Sequence, residues 1–262
     1  MGKVVALVQS KALDLAKGAA PEQFMPLMRE EVRRQLAEGF AGVEVVAGTK
    51  LAQLREEAEF GATLFLTAEK VKTGPVLREG LDDAFWVKAS REGGFKEYKT
   101  HGAVTTRTEF AACHDGKDLY IGVWCHQPRA ETEAKTAKLG NENRNGVELF
   151  INRTVPGSVK WQLLFNAAGG VKGYSDETAA ICPWVCPDLT SAVRVGDDAW
   201  TLVARIPFAS LGIDPAVDKT IGLQVVRNKS VPENDGKLEI STWYPSSIMG
   251  HRGAGRGLLV LE

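Results

Sequence analysis

Cysteine, histidine, surplus charge and long apolar runs are all scarce in this chain. Four cysteines in 262 residues are too few for a disulfide-built scaffold. Cys182 and Cys186 bracket Pro183-Trp-Val, yet no second cysteine or histidine pair stands at metal-finger spacing. Buried or disulfide-bonded thiols are therefore the expectation, ahead of zinc. The four histidines, His101, His114, His126 and His251, lie outside any His-Glu or nucleophile-elbow context, which argues against the common hydrolase signatures. Gly93-Gly94 and Gly169-Gly170 read as turn glycines, without the following helix that a phosphate cradle needs. A net charge of −1 provides no basic excess for nucleic acid or an anionic membrane. No apolar run approaches the roughly 20 residues of a membrane helix. The opening Met1-Gly-Lys-Val-Val-Ala-Leu-Val is too short for a signal-peptide core and shows no clear cleavage site.

Two textures remain. Residues 1–65 read as a helical lead-in. Val4, Leu7, Val8, Leu13 and Leu15 share a helical period that Gly18 ends, and Pro21 opens a second helix through Leu36. Thr49 caps a third, which carries Leu51 and Leu54. Residues 66–262 lose that period. Strands are expected over 62–67, 105–113, 117–126, 147–153, 159–166, 171–174, 199–207, 220–228, 238–244 and 257–261. Turn residues separate them, among them Asp115-Gly116 and Asn234-Asp235-Gly236. Many short strands without long helices between them describe a mainly β chain folded as an antiparallel β-sandwich.

The stretch Asn145–Tyr174 sets the faces. Val147, Leu149 and Ile151 alternate with Glu148, Phe150 and Asn152, and Trp161, Leu163 and Phe165 alternate with Gln162, Leu164 and Asn166. The loop 154–158 contains glycine and joins the two as a hairpin. Pairing Arg153 with Val159 sets Ile151 against Trp161, Leu149 against Leu163 and Val147 against Phe165, a dry core face. The reverse face carries Glu148, Asn152, Lys160, Gln162 and Asn166, with Phe150 and Leu164 among them, and could floor a shallow binding site.

With the strands placed, a series of phrases resembles one family. Pro75-Val-Leu-Arg-Glu-Gly-Leu-Asp-Asp-Ala-Phe-Trp86, Asp115-Gly-Lys-Asp-Leu-Tyr-Ile-Gly-Val-Trp124, Asn145-Gly-Val-Glu-Leu-Phe-Ile-Asn and Phe165-Asn-Ala-Ala-Gly-Gly are followed by Trp200 through Ile206-Pro-Phe-Ala-Ser-Leu211. Ile221-Gly, Ser241-Thr-Trp243 and Gly257-Leu-Leu-Val-Leu close the order. In this sequence they resemble the family 9 carbohydrate-binding modules over residues 66–262. The resemblance implies a jelly-roll or immunoglobulin-like β-sandwich that binds oligo- or polysaccharide without cleaving it, often holds structural calcium, and serves a polysaccharide-degrading enzyme. It favours an extracellular or periplasmic place and a catalytic domain in the same parent chain.

The same resemblance marks departures. Glu148 keeps the family's sugar-bonding glutamate, but the arginine falls at Leu164 and the glutamine at Val226. The clamp aromatics fall near Glu142 and near Gly250 and His251. The acid opening the Asp-x-Val-Glu phrase is Asn145, and the usual Asp-Pro is Gln127-Pro128. Sugars need a flat aromatic for the ring face and planar polar groups for hydroxyls. Candidate carbohydrate-binding residues are accordingly Glu148, Trp124 and Trp184, with Arg144, Gln162, Asn166 and Asn228 as adjuncts. Asp82, Asp83, Asp115 and Asp118 are the turn carboxylates that calcium could take. Two other readings stay open: a haem-b electron-transfer sandwich ligated by Met249 or His251 with His126, or a sandwich without ligand that serves as a docking module.

Overall fold

The computed structural model describes residues 64–136, 145–154, 158–177, 181–230, 238–244 and 257–262. The helices expected over 1–65 lie outside them. The described strands all belong to one compact unit, Ala62–Glu262. In chain order they are β1 (Phe65–Lys70), β2 (Lys96–Glu97), β3 (Thr108–His114), β4 (Asp118–His126), β5 (Gly146–Arg153), β6 (Lys160–Asn166), β7 (Val171–Ser175) and β8 (Cys182–Pro183). They continue with β9 (Thr190–Val195), β10 (Ala199–Pro207), β11 (Thr220–Ser230), β12 (Leu238–Thr242) and β13 (Gly257–Leu261). Two short helices, α1 (Ala84–Lys88) and α2 (Arg129–Thr136), and 3-10 turns at Leu77–Asp82 and Phe208–Leu211 complete the described elements.

The strands form a curled path, β8-β7-β6-β5-β11-β13-β1-β3-β4-β10-β9, with β12 and then β2 added beside β11. β1 pairs with β13 through Phe65–Ala68 and with β3 at Glu69 and Lys70, so it passes from one layer to the other. Both of these pairings are parallel, two local exceptions within the antiparallel sandwich that the sequence leads one to expect. Every other strand pair is antiparallel.

Period-2 alternation decides what lies between the layers. Val147, Leu149 and Ile151 from β5 meet Phe165, Leu163 and Trp161 of β6 in that register, as the hairpin pattern requires. They join Leu119, Ile121 and Val123 of β4 and Leu202, Ala204 and Ile206 of β10 in one buried cluster. Phe110 of β3 lies edge-on to Trp243 with ring centroids 4.9 Å apart. Both rings are fully enclosed, with Trp243 1 % exposed.

The opposite side of β4 has its own cover. Trp86 of α1 and Leu81 lie on Tyr120, Trp124 and Val203. Asp83 starts this helix by accepting from Phe85 N at 2.9 Å and from Val76 N at 3.0 Å. Gly122 makes the approach feasible: a Cβ there would stand 2.7 Å from Leu81 Cδ2 and 3.0 Å from the Trp86 ring.

Candidate functional site

The side of β5 that faces away from the core presents Glu148. Register fixes its neighbours: Leu164 of β6 stands opposite on one side and Val226 of β11 on the other. These are the two positions where the resemblance placed an arginine and a glutamine. One row along lie Gln162, Phe150 and Gln224, extended by Tyr174 of β7. The row on the other side holds Asn166, Gly146 and Asn228, so glycine leaves no side chain between the two asparagines.

This face is not the open polar floor that its alternation suggested. Phe150, Leu164, Val226 and Gln224 are all buried, and Glu148 itself is 6 % exposed. Apolar residues from three adjacent strands stand around the carboxylate, which lowers the local polarity. Two side-chain amides compensate. Gln162 Nε2 donates to Glu148 Oε2 at 2.6 Å, and Asn228 Nδ2 donates to Oε1 at 2.5 Å. Burial pushes the Glu148 carboxyl above its ordinary value, and these two bonds pull the other way without cancelling it.

Asn228 is 1 % exposed, and its Oδ1 is buried without a hydrogen-bond partner. Gln224 is spent on the backbone: it donates to Tyr244 O at 2.7 Å and accepts from Tyr244 N at 2.9 Å, which anchors the residue that follows β12.

The remaining sequence candidates fall elsewhere. Asn166 Oδ1 accepts from Ala168 N and Gly170 N and so shapes the β6–β7 turn. Trp124 sits on the other layer, 8 % exposed, edge-on to Trp86 and with the Arg91 guanidinium 3.9 Å above its ring. Trp184 lies on the core side of β7, 6.2 Å from Trp161, and donates its backbone N–H to Gly173 O. Neither tryptophan shares a face with Glu148. Arg144, Glu142, Met249, Gly250 and His251 lie outside the described residues. Alternation along one strand could not reveal Tyr174, whose place beside Gln162 depends on register across two hairpins.

Beneath this face, the two amides that replace expected acids bond to each other. Gln127 Nε2 donates to Asn145 Oδ1 at 3.1 Å, and Ser230 N donates to the same oxygen. The guanidinium of Arg227, wholly enclosed, donates to Gln127 Oε1 and to the carbonyls of Gly146 and Asn228, and it lies 5.0 Å from the Trp200 ring. The cluster ties the start of β5 to the end of β4.

The turn acids do not converge on a cation. Asp82 pairs with Arg194, Asp83 caps α1, and Asp115 accepts from Lys117 N, Asp118 N and Tyr120 Oη. No group of three metal-ligating side chains occurs among the described residues, so these acids do not fit the expected calcium. Cys113, Cys125 and Cys186 are buried free thiols, the Cys186 thiol pushed up to about 11 chiefly by burial. His126 Nε2 is engaged by Glu109 Oε2 at 2.9 Å.

No family profile and no curated protein matches this chain in sequence. Solved structures do match it. A candidate carbohydrate-binding protein of Bacteroides uniformis superposes with a TM-score of 0.56 at 14 % identity, over 76 % of this chain and 99 % of its own. A family 9 carbohydrate-binding module from Caldicellulosiruptor kristjanssonii, in complex with glucose, gives 0.54 at 11 % identity over 76 % and 95 %. Its cellotriose complex gives 0.52 at 12 % identity over 76 % and 93 %. The fold is that of family 9 carbohydrate-binding modules. Within this family 9 fold the hairpin β5–β6 and strand β11 carry Glu148, Gln162 and Asn228 together, with Leu164 and Val226 as the cross-strand neighbours of Glu148.

Proposed function

We propose that this chain is a non-catalytic carbohydrate-recognition module whose site lies on the β5–β6–β11 face around Glu148. The observation that carries the reading is the carboxylate held by two side-chain amides at 2.5–2.6 Å on that face of a family 9 fold. Carboxylate and amide oxygens accept hydroxyl hydrogens, and Tyr174 contributes a half-buried ring beside Gln162. The partner is an oligo- or polysaccharide, and the module serves an attached or associated polysaccharide-degrading enzyme. Trp124 and Trp184 take packing roles in this reading, and Asn166 holds the adjoining turn.

Isothermal titration with a panel of soluble oligosaccharides tests it. Saturable binding is expected, with Glu148→Ala weakening it at least tenfold, about 1.4 kcal/mol or more. Saturable binding that Glu148→Ala leaves unchanged removes this face from the site. Absence of binding across the panel favours the docking-module reading instead.

A further inference from the structure

A cleft of about 600 Å³ opens beside the β4–β10 pair, within the size range usual for small-molecule sites. Register builds it. Asp118 starts β4 opposite Pro207, the last residue of β10, and Arg205 stands two residues back on the same outward face. Pro207 ends the ladder, and the chain turns through Phe208–Leu211 to Ile213 and Pro215, which also line the cleft. Asp188, in the loop before β9, adds a further wall. That loop is pinned, because Ser210 Oγ donates to Pro187 O at 2.9 Å and Arg205 Nη2 to Asp188 O at 3.4 Å. Every lining residue belongs to the described segments.

The polar groups of this cleft are underused. The side chains of Asp118 and Arg205 are 19 % and 37 % exposed, so both reach solvent. Arg205 Nε stands 3.8 Å from Asp118 Oδ2, beyond hydrogen-bond length, and among the described residues the guanidinium makes only the long bond to Asp188 O. Burial raises the Asp118 carboxyl above its ordinary value, and Arg205 pulls it back. The lining also narrows the ligand. Lys117 and Arg205 face Asp118, Asp188 and Asp214, so neither an anion nor a cation meets a field of one sign. Pro207, Ile213 and Pro215 set hydrocarbon beside these groups. An acceptor and a donor held side by side, both unfilled, match two adjacent hydroxyls of a sugar. One hydroxyl donates to the carboxylate and its neighbour accepts from the guanidinium, in charge-assisted bonds roughly twice as strong as neutral ones.

Resting on the carbohydrate reading above, we propose that the cleft at Asp118 and Arg205 is a second saccharide site, separate from the Glu148 face. It takes the adjacent hydroxyls of a neutral sugar unit. Phe208, the one aromatic of the lining, is buried, so no ring stacks on the sugar and this site is the weaker of the two. Asp118 and Glu148 stand on the outer faces of different layers. The module therefore joins two glycan chains and gains avidity on a polysaccharide beyond either site alone.

Titration calorimetry with the same panel of soluble oligosaccharides tests this on wild type, Glu148→Ala, Asp118→Asn and Arg205→Gln, each checked for folding by circular dichroism. Two sugars per chain are expected for the wild type, in a tighter and a weaker phase. Asp118→Asn and Arg205→Gln are each expected to weaken the second phase at least tenfold and leave the first, and Glu148→Ala to do the reverse. The Arg205 side-chain resonance of labelled wild type, which needs no variant, is expected to shift in the weaker phase. One sugar per chain, lost with Glu148→Ala and unchanged in the other two variants, overturns the second site and leaves the proposed function standing. So does an Arg205 resonance that stays fixed at saturation. One sugar per chain, lost with Asp118→Asn and kept in Glu148→Ala, supports the cleft and removes the Glu148 face. Absence of binding across the panel overturns both readings.

Discussion

Glu148 shows how a single residue carries both cost and capacity. Its carboxyl sits at 6 % exposure and is held above the ordinary range by burial, despite two amide donors. A folded carboxyl that holds its proton more tightly than the unfolded one contributes stability that is complete below the usual carboxylate range. That contribution is lost as pH rises through the raised folded value. Glu148→Gln removes the charge that must be desolvated. Urea melts at about pH 8 and about pH 4 are expected to show the variant more stable than wild type at the higher pH, with the gain shrinking or vanishing at the lower. A constant difference at both pH values contradicts the burial argument. The residue type was legible in the Asn145-Gly-Val-Glu phrase, but its enclosure was not. Burial depends on Leu164 and Val226, residues 16 and 78 positions away along the chain.

At the scale of elements, the β5–β6 hairpin was readable because its alternation is long and its loop short. Ile151–Trp161, Leu149–Leu163 and Val147–Phe165 pair as the pattern dictates. The elements left unread are those with little alternation to read. β2 and β8 have two residues each, and β9 has mixed exposure where, among the described residues, it pairs with β10 alone. α2 follows Gln127-Pro128, a phrase that reads as the end of a strand and that also starts a helix: Thr132 N donates to Pro128 O.

The edge formed by β7 and β8 depends on Gly173. A Cβ there would stand 2.4 Å from the Trp184 carbonyl oxygen and 3.2 Å from its indole ring. Backbone cannot yield as a flexible side chain would. Gly173→Ala is therefore expected to displace Trp184 from Trp161, to cost about 1–3 kcal/mol in denaturant melts, and to shift tryptophan fluorescence to longer wavelength. Unchanged emission and stability would show that Trp184 is not seated on the core side of β7.

For the whole molecule, the two layers share one apolar core, and Arg227 is the exception within it. It continues the inward series Ile221, Leu223, Val225, and it is 2 % exposed. No pattern in the sequence flags a cation in that place. Its partners, Gln127, Gly146 and Asn228, come from three parts of the chain, and each would lose its donor together. Arg227→Met keeps the approximate volume and removes those donors, so a loss of about 2–4 kcal/mol in unfolding free energy is expected. A loss below about 0.5 kcal/mol would show that the cluster does not tie β5 to β4.

The architecture was legible because core phrases such as Trp200 to Leu211 need only be apolar at the right period. The proposed site was partly legible. Glu148, Gln162 and Asn228 stood out as polar members of strands, while Trp124 and Trp184 drew attention as indoles, and the fold sends them to other faces. What a strand pattern lacks is the identity of the neighbour across the sheet, and here that neighbour decides the chemistry.

A titration of isotopically labelled protein with cellotriose, followed through amide and side-chain resonances, tests the central claim most directly. The account predicts that the perturbed signals cluster at Glu148, the Gln162 and Asn228 side-chain amides, and Tyr174. Perturbations centred on the Trp124 indole and its layer, with the Glu148 row unmoved, would contradict it.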